Sequence, residues 1–171
     1  MALSFRNQQK IIPIDTRTLR KTQQRLLAAL DCRNCELSVR IVDDAHIRRL
    51  NAQYRSIDRP TDVLAFPMRE GAFAHLHPQL LGDIVISAET AQRQAHARRH
   101  SLTAELTHLL IHGTLHLLGY DHESSPVDAR LMRAKERDLW RLVAPMVMVS
   151  AERQSPAPQR QPSTPGRQSE P

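Results

Sequence analysis

The residues with the clearest potential for chemistry are three histidines in one short segment, His112, His116 and His122. His112 and His116 are four residues apart, so on a helix their side chains are neighbours on one face. Gly119 lies between His116 and His122 and allows the chain to leave the helix and fold back. The spacing therefore predicts that three neutral imidazoles meet at one point. With a bound water they form the ligand set of a catalytic zinc site.

The helix that carries the first two histidines is predicted to be buried, because leucine and isoleucine occupy most of its surface. At about 100° per residue, Glu105, His108, His112 and His116 fall within one sector of roughly 80°. Histidines on a buried helix cost free energy unless they bind something. The sector therefore favours a ligand site, and a supporting role beside the metal ligands stays open for Glu105 and His108.

The same segment overlays the protease pattern H-E-x-x-H-x-x-G-x-x-H in its histidines and its glycine. One position differs, because Gly113 stands where such proteases carry the glutamate that acts as general base. The sequence therefore predicts a metzincin-like metal helix that lacks the base for peptide hydrolysis by that mechanism. A zinc peptidase or amidase is kept as one alternative.

Arg55 belongs to a second segment, YRSIDRPTDVLAFP, in which a predicted helix ends before a loop and a strand. From this position a guanidinium could reach a cleft and bind a phosphate oxygen beside a metal. A surface arginine at the end of a helix is the simpler interpretation of the residue type alone. The residues by themselves therefore leave the role of Arg55 open.

The elements that must position these residues are predicted in the order βαβαββααα. Alternation of apolar and polar residues over 36–42 is typical of a half-buried strand. The order favours an α+β (α/β-like) domain with a small mixed four-stranded sheet packed with about five helices. The strands are predicted at 3–8, 36–42, 61–66 and 80–87, and the helices at 15–30, 43–54, 87–99, 101–118 and 125–143. The predicted N-caps are Asp15 or Thr16, Asp43 or Asp44, Ser87, Ser101 and Ser125.

Length and composition favour one folded domain followed by a tail. The chain has 171 residues, of which 40% are hydrophobic and 25% charged, which argues against a disordered, collagenous or membrane class. No apolar stretch approaches the ~20 residues that span a bilayer, so no membrane partner is expected. Residues 150–171 hold five of the 11 prolines and no large apolar residue. They are predicted to be a disordered tail, with the folded domain at 1–149.

The basic composition suits a nucleic-acid partner. The formal net charge is +6, and only three of the 24 basic residues are lysines. Arginine binds phosphate in a bidentate manner, although a codon usage that favours arginine explains the bias equally well. The arginines with a possible role in tracking RNA are Arg48, Arg49, Arg55, Arg59, Arg93, Arg98 and Arg99.

The two cysteines, Cys32 and Cys35, form a single CRNC segment. A second pair that would complete a zinc site of four thiolates is absent from the sequence. The cysteines are interpreted as incidental thiols in a reducing compartment. Because the N-terminus also has no apolar segment typical of a secretory signal, the expected location is the cytoplasm.

Taken together, the motifs resemble the YbeY family of bacterial endoribonucleases, the ribosomal RNA maturation factors. HGTLHLLGYDH, YRSIDRPTDVLAFP and LLGDIVIS carry the resemblance, which covers roughly residues 36–145. It implies a small mixed sheet with the metal-bearing helix against it. It also implies that His112, His116 and His122 bind one zinc ion and that Arg55 takes part in RNA cleavage. The chain departs from the family at Ala65, where many members have serine, and in its proline-rich tail.

The resemblance also implies a function. The expected activity is that of a metal-dependent endoribonuclease that prefers single strands and acts in ribosomal RNA processing, at the 3′ end of 16S RNA, and in ribosome quality control. The expected partners are ribosomal RNA and the ribosome or its small subunit. The general base stays open between zinc-hydroxide, the RNA 2′-hydroxyl and His108 acting through water, while Asp121 is expected to orient a ligand or cap the turn. A non-catalytic ribosome-assembly factor stabilised by zinc is the second alternative.

Overall fold

The computed structural model describes residues 2–69 and 78–154. In this part of the chain the predicted order of four strands and five helices is confirmed. None of the helices described is both long and apolar enough to cross a membrane. The strands are β1 (Ala2–Asn7), β2 (Glu36–Val42), β3 (Val63–Pro67) and β4 (Leu80–Ser87), and the helices are α1 (Thr16–Ala29), α2 (Asp44–Arg55), α3 (Ala88–Arg98), α4 (Leu102–Leu117) and α5 (Pro126–Gln154).

The four strands form one mixed sheet in the order β1-β2-β4-β3. β1, β2 and β4 are parallel, and β3 runs antiparallel to β4 at one edge. Gly82 of β4 lies opposite Pro67 of β3, has φ +139° and sits under the carbonyl oxygen of Phe66. A Cβ at Gly82 would be 2.1 Å from that oxygen, so only glycine lets β3 approach here.

Helix α4 lies between the sheet and α5. On one side Leu106 and Leu110 join the core that covers the sheet, and on the other Ile111 and Leu115 pack with apolar residues of α1 and α5. The prediction that this helix is buried nearly all round is confirmed. Because α4 is enclosed by two layers, polar side chains on it must find partners or face an opening.

Side chains cap all five helices at predicted residues, the fifth being Ser125 at the start of α5. Where the sequence leaves two residues possible, the structure selects the first, Asp15 for α1 and Asp43 for α2. Their carboxylates accept hydrogen bonds from the N–H groups of Thr18 at 3.0 Å and His46 at 2.7 Å. Such caps stabilise a helix by about 1 kcal/mol each. Ser87 caps α3 and Ser101 caps α4.

The last helix is longer than predicted, and its final turn includes the first residues of the predicted tail. The sequence predicts a helix end near Val143 and a tail from Ser150, but α5 continues through Pro145 to Gln154. Proline inside a helix costs about 3 kcal/mol. Packing offsets that cost, because Val147 is buried and the Ser150 hydroxyl donates a hydrogen bond to the Asp15 carboxylate. The remainder of the predicted tail, 155–171, lies outside the described residues.

Candidate metal centre and substrate cleft

Gly119 takes the chain out of α4 and leads it to His122. Its φ of +88° is left-handed, and a Cβ there would meet nothing within 4 Å, so the backbone angle rather than the space favours glycine. The N–H of Gly119 donates to the His116 carbonyl at 3.0 Å, and the N–H of Tyr120 donates to the Leu115 carbonyl at 3.0 Å. These two bonds are the Schellman closure of a helix, and they bring His122 back beside the end of α4.

The loop that carries His122 is held by its own hydrogen bonds. The Asp121 carboxylate accepts from the N–H of Glu123 at 2.8 Å, so Asp121 caps the turn, which is one of its two predicted roles. Ser125 accepts from the N–H of Asp128 at 3.1 Å and donates to its carboxylate at 2.6 Å. This reciprocal cap starts α5 and defines where the loop ends.

The rings of His112, His116 and His122 meet at one point. The ring centroids are 4.6 Å apart for His112 and His116, 5.3 Å for His112 and His122, and 5.1 Å for His116 and His122. One nitrogen of each ring lies within 4.8 Å of a nitrogen of the other two. The Nε2 atoms of His112 and His116 are 3.0 Å apart. Two nitrogens bound to one tetrahedral zinc at about 2.0–2.1 Å lie roughly 3.3 Å apart. The donor set therefore fits a zinc ion.

The surroundings favour the neutral imidazole at His116, which is the form that binds a metal. Burial lowers the pKa of His116 below its usual value, and the positive charges that His112 and His122 can carry lower it further. Asp121 and Glu123 act in the opposite direction but have the smaller effect. Because the folded pKa lies below the unfolded one, acidification below about pH 6.5 opposes the folded site.

Glu136 of α5 hydrogen-bonds the metal-facing histidine His112, and the sequence analysis did not identify it. Its Oε1 lies 2.8 Å from His112 Nδ1, which leaves Nε2 of His112 to face the other two rings. The hydrogen bond with His112 lowers the pKa of Glu136, although partial burial opposes the shift. A carboxylate in this position orients an imidazole and raises its strength as a ligand. The available sequence signal is that Glu136 interrupts the buried stripe formed by Met132 and Leu139.

Arg55 lines the same cleft as the three histidines. The cleft has a volume of about 580 Å³ and lies between the end of α4, its following loop, and the edge strand β3. Val63, Ala65 and Pro67 form the strand side of the cleft. The structure thus brings Arg55 to the histidines from a segment more than 50 residues away in the chain.

The end of α2 holds Arg55 at this cleft. Ser56 ends the helix with a left-handed φ of +58°, and its N–H donates to the Ala52 carbonyl at 3.1 Å. The buried side chain of Asn51 donates from Nδ2 to the carbonyl oxygen of Arg59 at 2.8 Å. The loop after Arg55 is therefore tied back to the helix that carries it.

Asp62 anchors the far end of that loop. Its Oδ1 accepts from the N–H of Val63 at 2.8 Å, and its Oδ2 accepts from the side-chain amide of Gln94 at 3.0 Å. The N–H of Ser87 donates to the Asp62 carbonyl at 2.9 Å. These bonds tie the start of β3 to the end of β4 and to α3, so Asp62 has a structural role in the PTDVL segment.

Glu105 and His108 lie on the histidine face of α4 but have other partners. Glu105 is 0% exposed, accepts a hydrogen bond from Arg98 Nη1 at 2.6 Å and also contacts Nε2 of His100. The ring of His108 stacks against Trp140, with centroids 4.0 Å apart, and against His100 at 5.7 Å. Neither residue lines the cleft. The structure therefore argues against the supporting role left open for both and against His108 as a base.

Gly113 explains why the glutamate of the protease pattern is missing. A Cβ at this position would lie 3.1–3.3 Å from three side-chain atoms of Ile84, which is fully buried in β4. A side chain here would require Ile84 to shift by a few tenths of an ångström in the core, and overpacking of this kind typically costs about 1–3 kcal/mol. The close packing of α4 on the sheet thus disfavours a peptidase base at this site.

Carboxylates neutralise three of the seven arginines predicted to track RNA. Among the side chains of residues 3–69 and 78–150, no carboxylate oxygen lies within 4.0 Å of the charged nitrogens of the other four arginines, which include Arg55 and Arg59. Of these four arginines, Arg55 is the one that lines the cleft. The neutralised pairs are Arg48–Asp58, Arg93–Asp44 and Arg98–Glu105.

Cys32 and Cys35 are free, buried thiols in the core that covers the sheet. Burial raises the pKa of Cys32 to about 11, and its hydrogen bond with Cys35 contributes to the shift. Arg69 donates a hydrogen bond to Cys35 Sγ at 3.2 Å. A protonated, buried thiol is a poor nucleophile and a poor metal ligand, so the chemistry of the chain lies at the histidines.

Three imidazoles that open onto a cleft, on an α+β domain, form the donor set typical of a mononuclear metal-dependent hydrolase. The family model described as Endoribonuclease YbeY matches residues 4–143. Curated relatives of that name include one from Geobacter sulfurreducens, 48% identical over 144 residues that cover 84% of this chain and 96% of the relative. Another, from Syntrophus aciditrophicus, is 44% identical over 144 residues, which cover 84% of this chain and 90% of that relative.

The chain therefore belongs to the endoribonuclease YbeY family, and the resemblance seen in the sequence is confirmed. The fold agrees with a solved structure as well. The solution structure of TM1509 from Thermotoga maritima has a TM-score of 0.64 and is 25% identical, and the match covers 92% of this chain and 99% of that one. RNA cleavage is the activity that gives the family its name.

Proposed function

We propose that this protein is a zinc-dependent endoribonuclease in which His112, His116 and His122 hold one zinc ion and Arg55 binds the RNA phosphate. The observation that carries the proposal is the convergence of three imidazole nitrogens within 4.8 Å in a cleft that Arg55 also lines. The three-histidine set leaves one position of a tetrahedral metal open. When bound, zinc supplies an activated water and polarises a phosphoryl oxygen.

The protein's own side chains prepare that chemistry. Glu136 holds the His112 ring through Nδ1 so that Nε2 faces the metal position. Burial keeps His116 in the neutral form that a metal requires. The Arg55 guanidinium would bind the non-bridging phosphate oxygens and neutralise the charge that develops on them during cleavage.

The proposed substrate is a single-stranded region of ribosomal RNA at the 3′ end of the 16S molecule, and the proposed location is the cytoplasm. The net charge of +6 favours a polyanionic partner. Arg55 at the end of α2 places part of that charge at the cleft. Ribosomal RNA as the substrate is what membership of the family supports, and free buried thiols agree with a reducing compartment.

The experiment that tests the proposal combines metal analysis with RNA cleavage. Purified protein is expected to contain about one zinc per chain, and cleavage of a single-stranded fragment from the 16S 3′ end should stop on chelation and return with zinc. If a peptide panel were cleaved instead, the peptidase alternative would replace the proposal. Zinc that raises the melting temperature while RNA stays intact would indicate the non-catalytic assembly factor.

A further inference from the structure

Two aromatic rings pack together at the edge strand β3, on the face of the sheet that α2 covers. Tyr54 is the last but one residue of α2 and is 60% exposed. It packs edge-on against Phe66 of β3, with ring centroids 5.0 Å apart and an angle of 64° between the planes. Phe66 is partly buried against the small core between α2 and the sheet. A fixed ring thus supports an exposed one.

The pair lies around the edge strand from the cleft. Tyr54 precedes Arg55, which lines the cleft. Because side chains alternate along a strand, Phe66 points to the face opposite Ala65 and Pro67, so the pair lies on the α2 side of β3 while the cleft lies on the α4 side. Within the described residues, β3 pairs only with β4, so its other edge is open. A nucleic-acid strand that leaves the cleft and turns around this edge toward α2 would meet Tyr54.

We propose that Tyr54, supported by Phe66, is a stacking subsite for one nucleobase of the RNA bound in the cleft. This inference rests on the proposed function, because it requires a single-stranded RNA substrate. Every base presents a π-face, so an exposed aromatic ring binds bases without strong sequence preference. The edge-on contact with Phe66 restricts the tyrosine ring before RNA arrives, which lowers the entropy lost on binding.

The surrounding charge suits such a subsite. Arg55 follows Tyr54 directly in the chain and Arg59 lies in the loop after α2, and no carboxylate oxygen of the described side chains lies within 4.0 Å of their charged nitrogens. A phosphate next to a stacked base would therefore meet positive charge. The division of labour is that Tyr54 contacts a base, whereas the arginines contact the backbone.

The test asks whether the loss of the tyrosine ring and the loss of one particular base have the same effect on RNA cleavage. Single-turnover cleavage is measured with a 16S 3′-end oligonucleotide and with a series in which one nucleotide at a time is abasic. Tyr54→Ala is expected to raise the RNA concentration for half-maximal rate by roughly 5- to 100-fold. One abasic position should cost the wild type the same factor and cost Tyr54→Ala nothing further. Tyr54→Phe should behave as wild type, since the stacking face remains.

Two controls separate stacking from other causes. Ile11, an exposed apolar residue at 74%, follows β1, the strand at the opposite edge of the sheet from β3, so Ile11→Ala should leave the RNA dependence unchanged. The slope of affinity against salt should stay the same in Tyr54→Ala, because no phosphate contact is lost.

Three outcomes would overturn the inference. If wild type cleaves and Tyr54→Ala cleaves equally well, the subsite does not exist while the proposed function stands. If Tyr54→Leu restores wild-type RNA dependence, the residue is only an apolar cover for Phe66. If wild type cleaves no RNA at all, the proposed function fails first and the subsite fails with it.

Discussion

Helix α4 carries two polar groups that are built from the same residue types on the same face. The first, the closed cluster, consists of Glu105 and His108 with their partners Arg98, His100 and Trp140. The second, the open cluster, consists of His112, His116 and His122 with Glu136 and Arg55. The two clusters are one helical turn apart, yet only the second faces a cleft.

The clusters differ in what satisfies their polar atoms. In the closed cluster, Glu105 accepts from Arg98 and contacts His100, and aromatic rings cover His108. In the open cluster, the three imidazoles line a cleft of about 580 Å³ and their nitrogens converge there. The comparison shows that spacing on a helix identifies candidate metal ligands. What separates candidate ligands from internal polar residues is that their nitrogen atoms face an opening instead of a buried hydrogen-bond partner.

The largest expected effect comes from exchanging one histidine in each cluster for alanine. His116→Ala should lose zinc and RNA cleavage together, because the ion would keep only two protein ligands. His108→Ala is the matched control on the same helix and should keep full zinc, losing about 0.5–1.5 kcal/mol of stacking energy. Metal content and melting temperature of both variants check this. Full zinc occupancy in His116→Ala would contradict the ligand assignment.

The second largest effect is expected from replacing the arginine of each cluster, Arg55 and Arg98, by alanine. Arg55→Ala should slow single-turnover cleavage by ~100-fold, since removing one transition-state charge stabiliser typically costs about 3 kcal/mol. Zinc content should not change, and Arg55→Lys should recover only part of the rate, because an ammonium lacks the bidentate fork.

Arg98→Ala removes the same charge from the closed cluster and should leave the cleavage rate within a few-fold of wild type. Equal rates for Arg55→Ala and wild type would make Arg55 a bystander at the cleft, and Arg59 would be the next residue to test.

A substitution at Glu136 tests whether the residue that hydrogen-bonds His112 contributes to zinc affinity. Glu136→Gln keeps the shape but removes the charge that orients His112, so zinc affinity should fall by about 10–100-fold. Asp138→Asn on the exposed face of the same helix is the control and should leave the affinity unchanged. Competition with a chelator measures both variants. An unchanged affinity in Glu136→Gln would show that the hydrogen bond to His112 does not support the metal.

The smallest functional effect is expected in the closed cluster. Glu105→Gln should lower the free energy of unfolding by about 1–2 kcal/mol, because it weakens charge-assisted hydrogen bonds to Arg98 and His100, of which Arg98 is half exposed. Zinc affinity and cleavage should match wild type, as measured by denaturant unfolding, metal titration and cleavage assays. A loss of zinc in Glu105→Gln would show that the two clusters are coupled through α4.

Local rules account for what the sequence by itself determined. Alternation, helical spacing and capping residues identify the nine elements in their order, because each rule acts within a few residues of the chain. The pairing of His112 with His116 follows from the helical repeat, and the return of His122 follows from the left-handed angle at Gly119. Family membership follows as well, since the three motifs are specific and contiguous.

Only the tertiary structure decided which distant residues meet. Glu136 is 24 positions from His112 and reaches it because α5 packs along α4. The same packing carries α5 past Pro145, although local propensity predicts an end there. Arg55 meets the histidines because β3, the strand that follows its loop, forms the side of the cleft that faces the end of α4. Such contacts depend on how layers stack and on which polar atoms remain unsatisfied, and neither quantity is a property of a short stretch of sequence.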